Sequence, residues 1–395
     1  MLRTPWPAAL GLTVSLALAL PALGYEGIVE KKTFSMPTYT TANGRTLKDV
    51  KVGWESYGTL NAARDNVVLV THFFSGNSHA AGKYAATDPA PGYWDAIIGA
   101  GKPIDTDRYF VIASDTLVNL NVKDPRTVTT GPATIDPDTG KPYGPTFPVV
   151  SMRDFVNVQK ALVESLGIRK LHAVAGASMG ALQAFEWAAA YPDMVERIVP
   201  VIGGAEADAF LVGWLDMWAA PIRMDPNWKG GNYYGAAEPT DGLALALAMV
   251  TLHARAPGWA DRTFGRRWAD PAKDPAQAMG NRYAIEDTVE KAAAARAKAS
   301  DANHFLYLVK ANQLFSAGHA ASLEDGLKAV KARTLLVPAV SDHLLPPYMS
   351  ERAAAILRKN GVPVEIVPIE GDGGHLEGVL AVAKAGDAIK AFLAK

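Results

Sequence analysis

The chain predicts an α/β fold: a mostly parallel sheet with helices on both faces, carrying a separate helical insertion. Three observations predict it. Short apolar runs rich in valine and isoleucine alternate with helical patterns. One of these runs turns into a helix through a serine set between glycines, Gly176-Ala177-Ser178-Met179-Gly180. The alternation stops between about Glu206 and Gly326 and then resumes.

The elements follow in chain order. Residues 1–24 carry Arg3, an apolar run from Leu10 to Leu20, then Pro21 and the small-ended triplet Ala22-Leu23-Gly24. That pattern predicts an export signal with a mature chain starting near Tyr25, destined for the periplasm or the exterior. No later run is long enough to predict a membrane span. Thr46–Asn61 reads as an antiparallel opening pair. Val67–Phe74, Arg108–Asp115, Leu171–Ser178, Arg197–Gly204, Thr334–Asp342 and Val364–Gly371 read as parallel strands covered on both faces. Met152–Gly167 has apolar residues at helical spacing and Gly167 as its stop. Lys123–Pro148, rich in Pro and Gly, reads as a long loop packed over something functional. The predicted division is a signal at 1–24, a core of 25–205 with 327–395, and a helical lid at 206–326.

Composition narrows the function. The 395 residues are 49% hydrophobic and 20% charged, an ordinary globular balance. A net charge of −1 gives no basic field for nucleic acid. The absence of cysteine removes thiolate metal sites and a cysteine nucleophile together. No metal cluster and no phosphate-cradling motif is apparent, so the chain predicts no cofactor.

The glycine-flanked serine fits a G-x-S-x-G nucleophile elbow. Gly176 and Gly180 let backbone segments approach where a side chain would clash, which holds the Ser178 hydroxyl above the sheet edge. Serine needs a base to take its proton, and the base needs an acid to orient it. Asp342 and His375 each follow a strand and complete the order Ser, Asp, His. His343 is a rival base, although a neighbouring Asp342 is badly placed to orient it. His72, His79, His253, His304 and His319 read as structural or substrate-facing. The backbone N–H groups of Met179 and of Phe74, in the loop Thr71–His79, are the predicted oxyanion donors.

Four longer stretches carry a resemblance: those starting at Pro91 ("PGYWDAIIGAGKPIDTDRYFVIASD"), Gly131 ("GPATIDPDTGKPYGPTFPVVSMRD"), Gly176 ("GASMGALQAFEWAAAYPD") and Arg223 ("RMDPNWKGGNYY"). With them the chain resembles the homoserine O-acetyltransferases of the α/β-hydrolase superfamily, from roughly Thr46 to its end. The resemblance implies Ser178 as nucleophile, Asp342 and His375 as triad partners, Phe74 and Met179 as oxyanion hole, and a lid that builds a homodimer and a tunnel to the serine.

Two departures stand out. The resemblance implies a lid arginine for the amino-acid carboxylate, but "GLALALAMV" has leucine or alanine there, with Leu247 the matching position. It also implies an acid directly after the histidine, but Leu376 follows His375. A site lacking both charges should hold a zwitterion poorly. Arg223, His253 and Arg255 are the lid residues able to supply charge instead. The expected activity is therefore an exported serine enzyme acting through an acyl-enzyme on a neutral or apolar ester. Its partner would be a small-molecule ester or acyl donor. An O-acyltransferase with another acceptor is the alternative, and a non-catalytic binding module is the second.

Overall fold

A computed structural model describes residues 25–395. The predicted export signal lies outside the described residues. The strands are β1 (Lys32–Thr40), β2 (Thr46–Tyr57), β3 (Val67–Thr71), β4 (Ile98–Gly99), β5 (Ile104–Asp105), β6 (Phe110–Ser114), β7 (Ala173–Ala177), β8 (Arg197–Val201), β9 (Arg333–Leu336) and β10 (Val364–Ile366). Eight form one sheet in the order β1-β2-β6-β3-β7-β8-β9-β10, and β4 and β5 pair separately. β2 runs antiparallel to both neighbours, whereas β6, β3, β7, β8, β9 and β10 are mutually parallel.

Thr46–Asn61 is not an antiparallel pair within itself. Its residues form the single strand β2, whose partner is the upstream β1, joined through a turn at 41–45. Gly44 adopts φ +83° there and donates to Thr41 O at 2.8 Å. The Gly that closes the hairpin precedes the predicted segment, so the pairing partner lies upstream. The two last strands are shorter than predicted. Pro338 has no N–H, and pairing beyond Leu336 continues only through bridges from Val337 to Val201 and from Ala339 to Ile369.

Helices cover both faces. They are α1 (Met152–Ser165), α2 (Met179–Ala190), α3 (Ala209–Met224), α4 (Thr240–His253), α5 (Pro257–Thr263), α6 (Ala284–Ala297), α7 (Ala302–Gln313), α8 (Leu323–Gly326), α9 (Pro347–Lys359), α10 (Glu377–Leu380) and α11 (Gly386–Ala394). At the end of α1, Gly167 takes φ +73° and donates to Glu164 O, while Ile168 donates to Val163 O. This double bond pattern satisfies the terminal carbonyls and needs a glycine at the left-handed position. Helix α2 is mostly small and apolar and buried from Met179 to Ala189, with its two polar side chains paired inside: Gln183 with Gln159 and Glu186 with Arg153.

Alternation along the strands divides the core. Val67, Leu69, Ile112, Val174 and Ile198 face a cluster with α1, α2 and the lid helices. Val68, Val70, Val111, Ala175 and Val199 face a second cluster with Trp94 and α11. Helices α3 to α8 lie between β8 and β9 in sequence, with no strand among them. No helix of the described residues is long and apolar enough to cross a membrane.

Candidate active site

The site forms where the parallel strands end. The chain leaves β7 and enters α2 through Ser178, at φ +58° and ψ −121°. Such a conformation costs on the order of 1–3 kcal/mol in a residue with a Cβ. The surroundings impose it. A Cβ on Gly176 would stand 2.1 Å from Thr71 Oγ1, and one on Gly180 would stand 2.1 Å from Thr71 O. Strand β3 therefore presses on the turn at the two positions where only glycine fits. Thr71 Oγ1 also donates to Gly180 O at 2.8 Å, tying β3 to the first turn of α2.

His375 sits in a helical turn, Gly374–Leu376, beyond β10. Gly374 adopts φ +76°, and a Cβ there would meet the backbone of Arg255 and Ala256 at 2.7 Å. The histidine loop is thereby pressed against the end of the lid helix α4. His375 Nε2 lies 2.7 Å from Ser178 Oγ, and His375 Nδ1 lies 2.7 Å from Asp342 Oδ2. The other carboxylate oxygen, Asp342 Oδ1, accepts from the N–H groups of Leu344 (2.8 Å) and Leu345 (3.0 Å). All three residues are buried. With Asp342 accepting from Nδ1–H, Nε2 is left as an acceptor facing the serine hydroxyl. That is the tautomer a general base requires.

The N–H of Met179 directly follows Ser178 in the chain, and that of Phe74 belongs to a residue lining the same cavity as the serine. Neither donates to a protein acceptor among the described residues. Met179 is the first residue of α2, so its N–H belongs to the positive end of the helix. The loop that carries Phe74 is anchored by a buried polar cluster that the sequence did not reveal. Glu55 accepts from Tyr57 Oη at 2.8 Å and lies 2.9 Å from Lys31 Nζ and 3.0 Å from His79 Nδ1. Asp115 accepts from the N–H of Ser78 at 2.7 Å. Tyr57 Oη accepts from Ala80 and Ala81. These residues scatter across 31–115, so nothing in their spacing announces the cluster.

Among the described residues His375 is the histidine hydrogen-bonded to Ser178. His343 is exposed. His72 donates from Nδ1 to Phe73 O (2.8 Å), and burial pulls its pKa down to about 4. His79 stacks on Tyr84, and His304 bonds Asn119 O at 2.7 Å. His253 packs against Trp214 and Trp218, and burial lowers its pKa. His319 lies in a short turn at φ +55°. Among the described residues, no group of three or more His, Asp or Glu side chains could hold a metal ion.

A cavity of about 210 Å³ opens over the serine. Ser178 and His375 line it together with Phe74, Leu182, Leu215, Trp218, Val250, Leu344 and Leu376. Leu247 is buried beneath the lining rather than part of it. Of the lid residues expected to bring charge, Arg223 pairs with Asp216 at the surface, and Arg255 stacks on Trp259. Neither lines the cavity. Arg296 of α6 does. It follows a run of four alanines, and its neighbours Ala293 and Ala297 are buried. A charged residue on the buried face of a helix was the signal that could have found it.

The alpha/beta hydrolase fold family matches residues 90–377. A homoserine O-acetyltransferase of Solidesulfovibrio magneticus is 38% identical over 374 residues, covering 93% of each chain. The crystal structure of homoserine O-acetyltransferase from Bacillus anthracis superposes with a TM-score of 0.89 at 38% identity, covering 93% of this chain and 98% of that one. The crystal structure of esterase E22 superposes with a TM-score of 0.89 at 52% identity, over 92% of this chain and 100% of that one. With this fold, these relatives and these solved neighbours, the chain belongs to the alpha/beta hydrolase fold family, in its homoserine O-acetyltransferase-like group of acyltransferases and esterases.

Proposed function

We propose that the protein is a serine ester hydrolase acting through an acyl-enzyme. The observation that carries this is the unbroken chain Ser178–His375–Asp342, both links at 2.7 Å, at the floor of an apolar cavity. His375 takes the proton of Ser178 Oγ as it attacks the ester carbonyl, and Asp342 holds the resulting imidazolium. The N–H groups of Phe74 and Met179 receive the oxyanion, and the alcohol leaves with the proton from His375. Water then repeats the sequence on the acyl-enzyme and releases the acid.

The cavity, about 210 Å³, is somewhat larger than an apolar cavity of ~150 Å³ that holds benzene. It therefore suits a short ester, with an apolar body where the substrate meets Leu182, Leu215 and Leu376. Leu376 beside His375 offers no partner for an ammonium group. The greater identity to an esterase than to the acetyltransferases favours water as acceptor. Transfer of the acyl group to an alcohol shares the same first half-reaction and is the second reading, favoured by the homoserine O-acetyltransferase relatives.

Direct competition tests the two readings. Acetyl-CoA with L-homoserine is supplied beside p-nitrophenyl butyrate, and kcat/KM is measured for each. The hydrolase reading expects efficient ester cleavage and no useful homoserine acetylation; the reverse result overturns it. We further propose that residues 1–24 direct export and that a second copy docks through the lid. N-terminal sequencing of protein from the native host's envelope fraction tests the first, and sedimentation tests the second. An intact Met1 in the cytoplasmic fraction refutes export.

A further inference from the structure

Arg296 is the charged residue of the active-site lining that the proposed chemistry leaves unused. Its guanidinium is largely withdrawn from water, and no carboxylate lies within 4 Å of it among the described residues. Of its five N–H donors, the side chain commits one, from Nη1 to Thr251 Oγ1 at 2.7 Å. Thr251 in turn donates to Leu247 O at 2.7 Å, so helix α4 holds the head group from one side. Arg296 also lines the cavity that contains Ser178 and His375. Burial is the one influence that shifts its pKa, and it shifts it downward. Arginine cannot relieve this by losing its proton, because its pKa exceeds 12. A desolvated cation without an anion is unfavourable, and chains tolerate it where a ligand supplies the missing charge.

Two other buried charges behave differently. Glu186 meets Arg153 and the N–H of Gly318, and Glu55 meets Lys31 and His79. In both cases the partner comes from the fold. For Arg296 no such partner is present among the described residues, and the residue lines the substrate cavity.

We infer that Arg296 receives a carboxylate carried by the substrate, so that the preferred ester has an apolar body and an acidic end. This rests on the hydrolase reading and narrows its substrate from a wholly neutral ester to one carrying an acid. The planar guanidinium suits bidentate pairing with a carboxylate. The cavity that both Arg296 and Ser178 line has apolar walls suited to a short methylene chain. The acid can belong to the acyl part or to the alcohol part of the ester, and the experiment separates the two.

For the acyl part, monomethyl glutarate is compared with methyl 5-oxohexanoate, in which a methyl ketone replaces the carboxylate. For the alcohol part, 4-acetoxybutyrate is compared with 5-acetoxy-2-pentanone. Each pair is assayed with wild type, Arg296→Lys and Arg296→Met. In at least one pair the acid is expected to lead in wild type. Arg296→Met should cut kcat/KM for that acid by about thirtyfold or more, the loss typical when one partner of a buried charge pair is removed. The loss for that acid should exceed the loss for its ketone partner in the same variant, which separates recognition of the charge from general damage to the cavity, since the methionine keeps the apolar stem. Arg296→Lys should restore part of the discrimination.

Glutarate and butyrate binding to Ser178→Ala, with and without Arg296→Met, is followed by calorimetry and does not depend on turnover. Arg296-dependent glutarate binding supports the inference even if wild type cleaves no ester. Turnover of neutral esters with no acid preference in either pair, or an acid preference that survives Arg296→Met, overturns the inference and leaves the hydrolase reading standing. Failure of wild type on every ester, with homoserine acetylation intact, overturns the hydrolase reading instead.

Discussion

Replacing Asp342 by asparagine should leave the fold intact and disable the base, for a reason visible in its hydrogen bonds. Oδ1 accepts from two backbone N–H groups, of Leu344 and Leu345, and Oδ2 accepts from His375 Nδ1. An amide keeps the first two bonds by turning its oxygen toward them. Its NH₂ then faces His375 Nδ1, which must become an acceptor. The imidazole proton moves to Nε2 and points at Ser178 Oγ, where it cannot accept the serine proton. The active tautomer returns only if the amide turns over, which leaves two buried N–H donors without acceptors. At about 1–3 kcal/mol for each unsatisfied donor, that state lies about 2–6 kcal/mol up. This corresponds to a loss of about 30-fold to 10⁴-fold in rate, at about 1.4 kcal/mol per decade. The assay is kcat/KM for p-nitrophenyl butyrate beside thermal unfolding of the same preparation. Activity within about fivefold of wild type, at an unchanged unfolding temperature, would refute the reasoning, because it would mean that the carboxylate does not fix the tautomer.

Further outcomes follow from the same geometry. Ser178→Ala should abolish covalent labelling by a fluorophosphonate and reduce ester turnover by about 10⁴-fold or more; retained labelling would place the nucleophile elsewhere. Gly176→Ala should destabilise the fold by about 1–3 kcal/mol or more in urea unfolding. Its Cβ would stand 2.1 Å from Thr71 Oγ1 and 2.6 Å from the Gly180 backbone; a fully stable variant would show that β3 yields. His72, held down to about 4 by burial, binds a proton below about pH 6.5 when unfolded but only below about 4 when folded. Its contribution is therefore complete above about pH 6.5 and is lost as pH falls toward 4. Between pH 7 and 4.5 wild type should lose about 2–3 kcal/mol more stability than His72→Gln, measured by urea unfolding. Equal losses would show that His72 is not the group concerned.

Much of the molecule was legible because its signals are local. Strand and helix periodicity depends on residues a few positions apart, and the elbow at Gly176–Gly180 is a single pentapeptide. Chain order and strand ends were enough to single out Asp342 and His375, since parallel strands deliver their carboxyl ends to one edge. The pairing of β2 was misread because its partner β1 precedes it and the closing turn holds Gly44 rather than a residue of the predicted segment. Strand ends were overextended at Pro338, where apolar character continues after the N–H needed for the ladder has gone.

Distance in three dimensions decided the rest. The sequence offered Arg223, His253 and Arg255 as sources of charge in the lid, and no periodicity could rank them. Packing sent Arg223 to Asp216 at the surface and Arg255 onto Trp259, and it turned Arg296 toward the serine cavity. Likewise the Glu55–Lys31–Asp115 cluster joins residues far apart in the chain to steady the Phe74 loop. The sequence by itself determined the fold class and the order of the chemical groups, because hydrophobic period and turn chemistry act over short range. Only the tertiary structure decided which charges lose their water and which find partners, because desolvation and pairing are set by neighbours that the chain brings together from different elements.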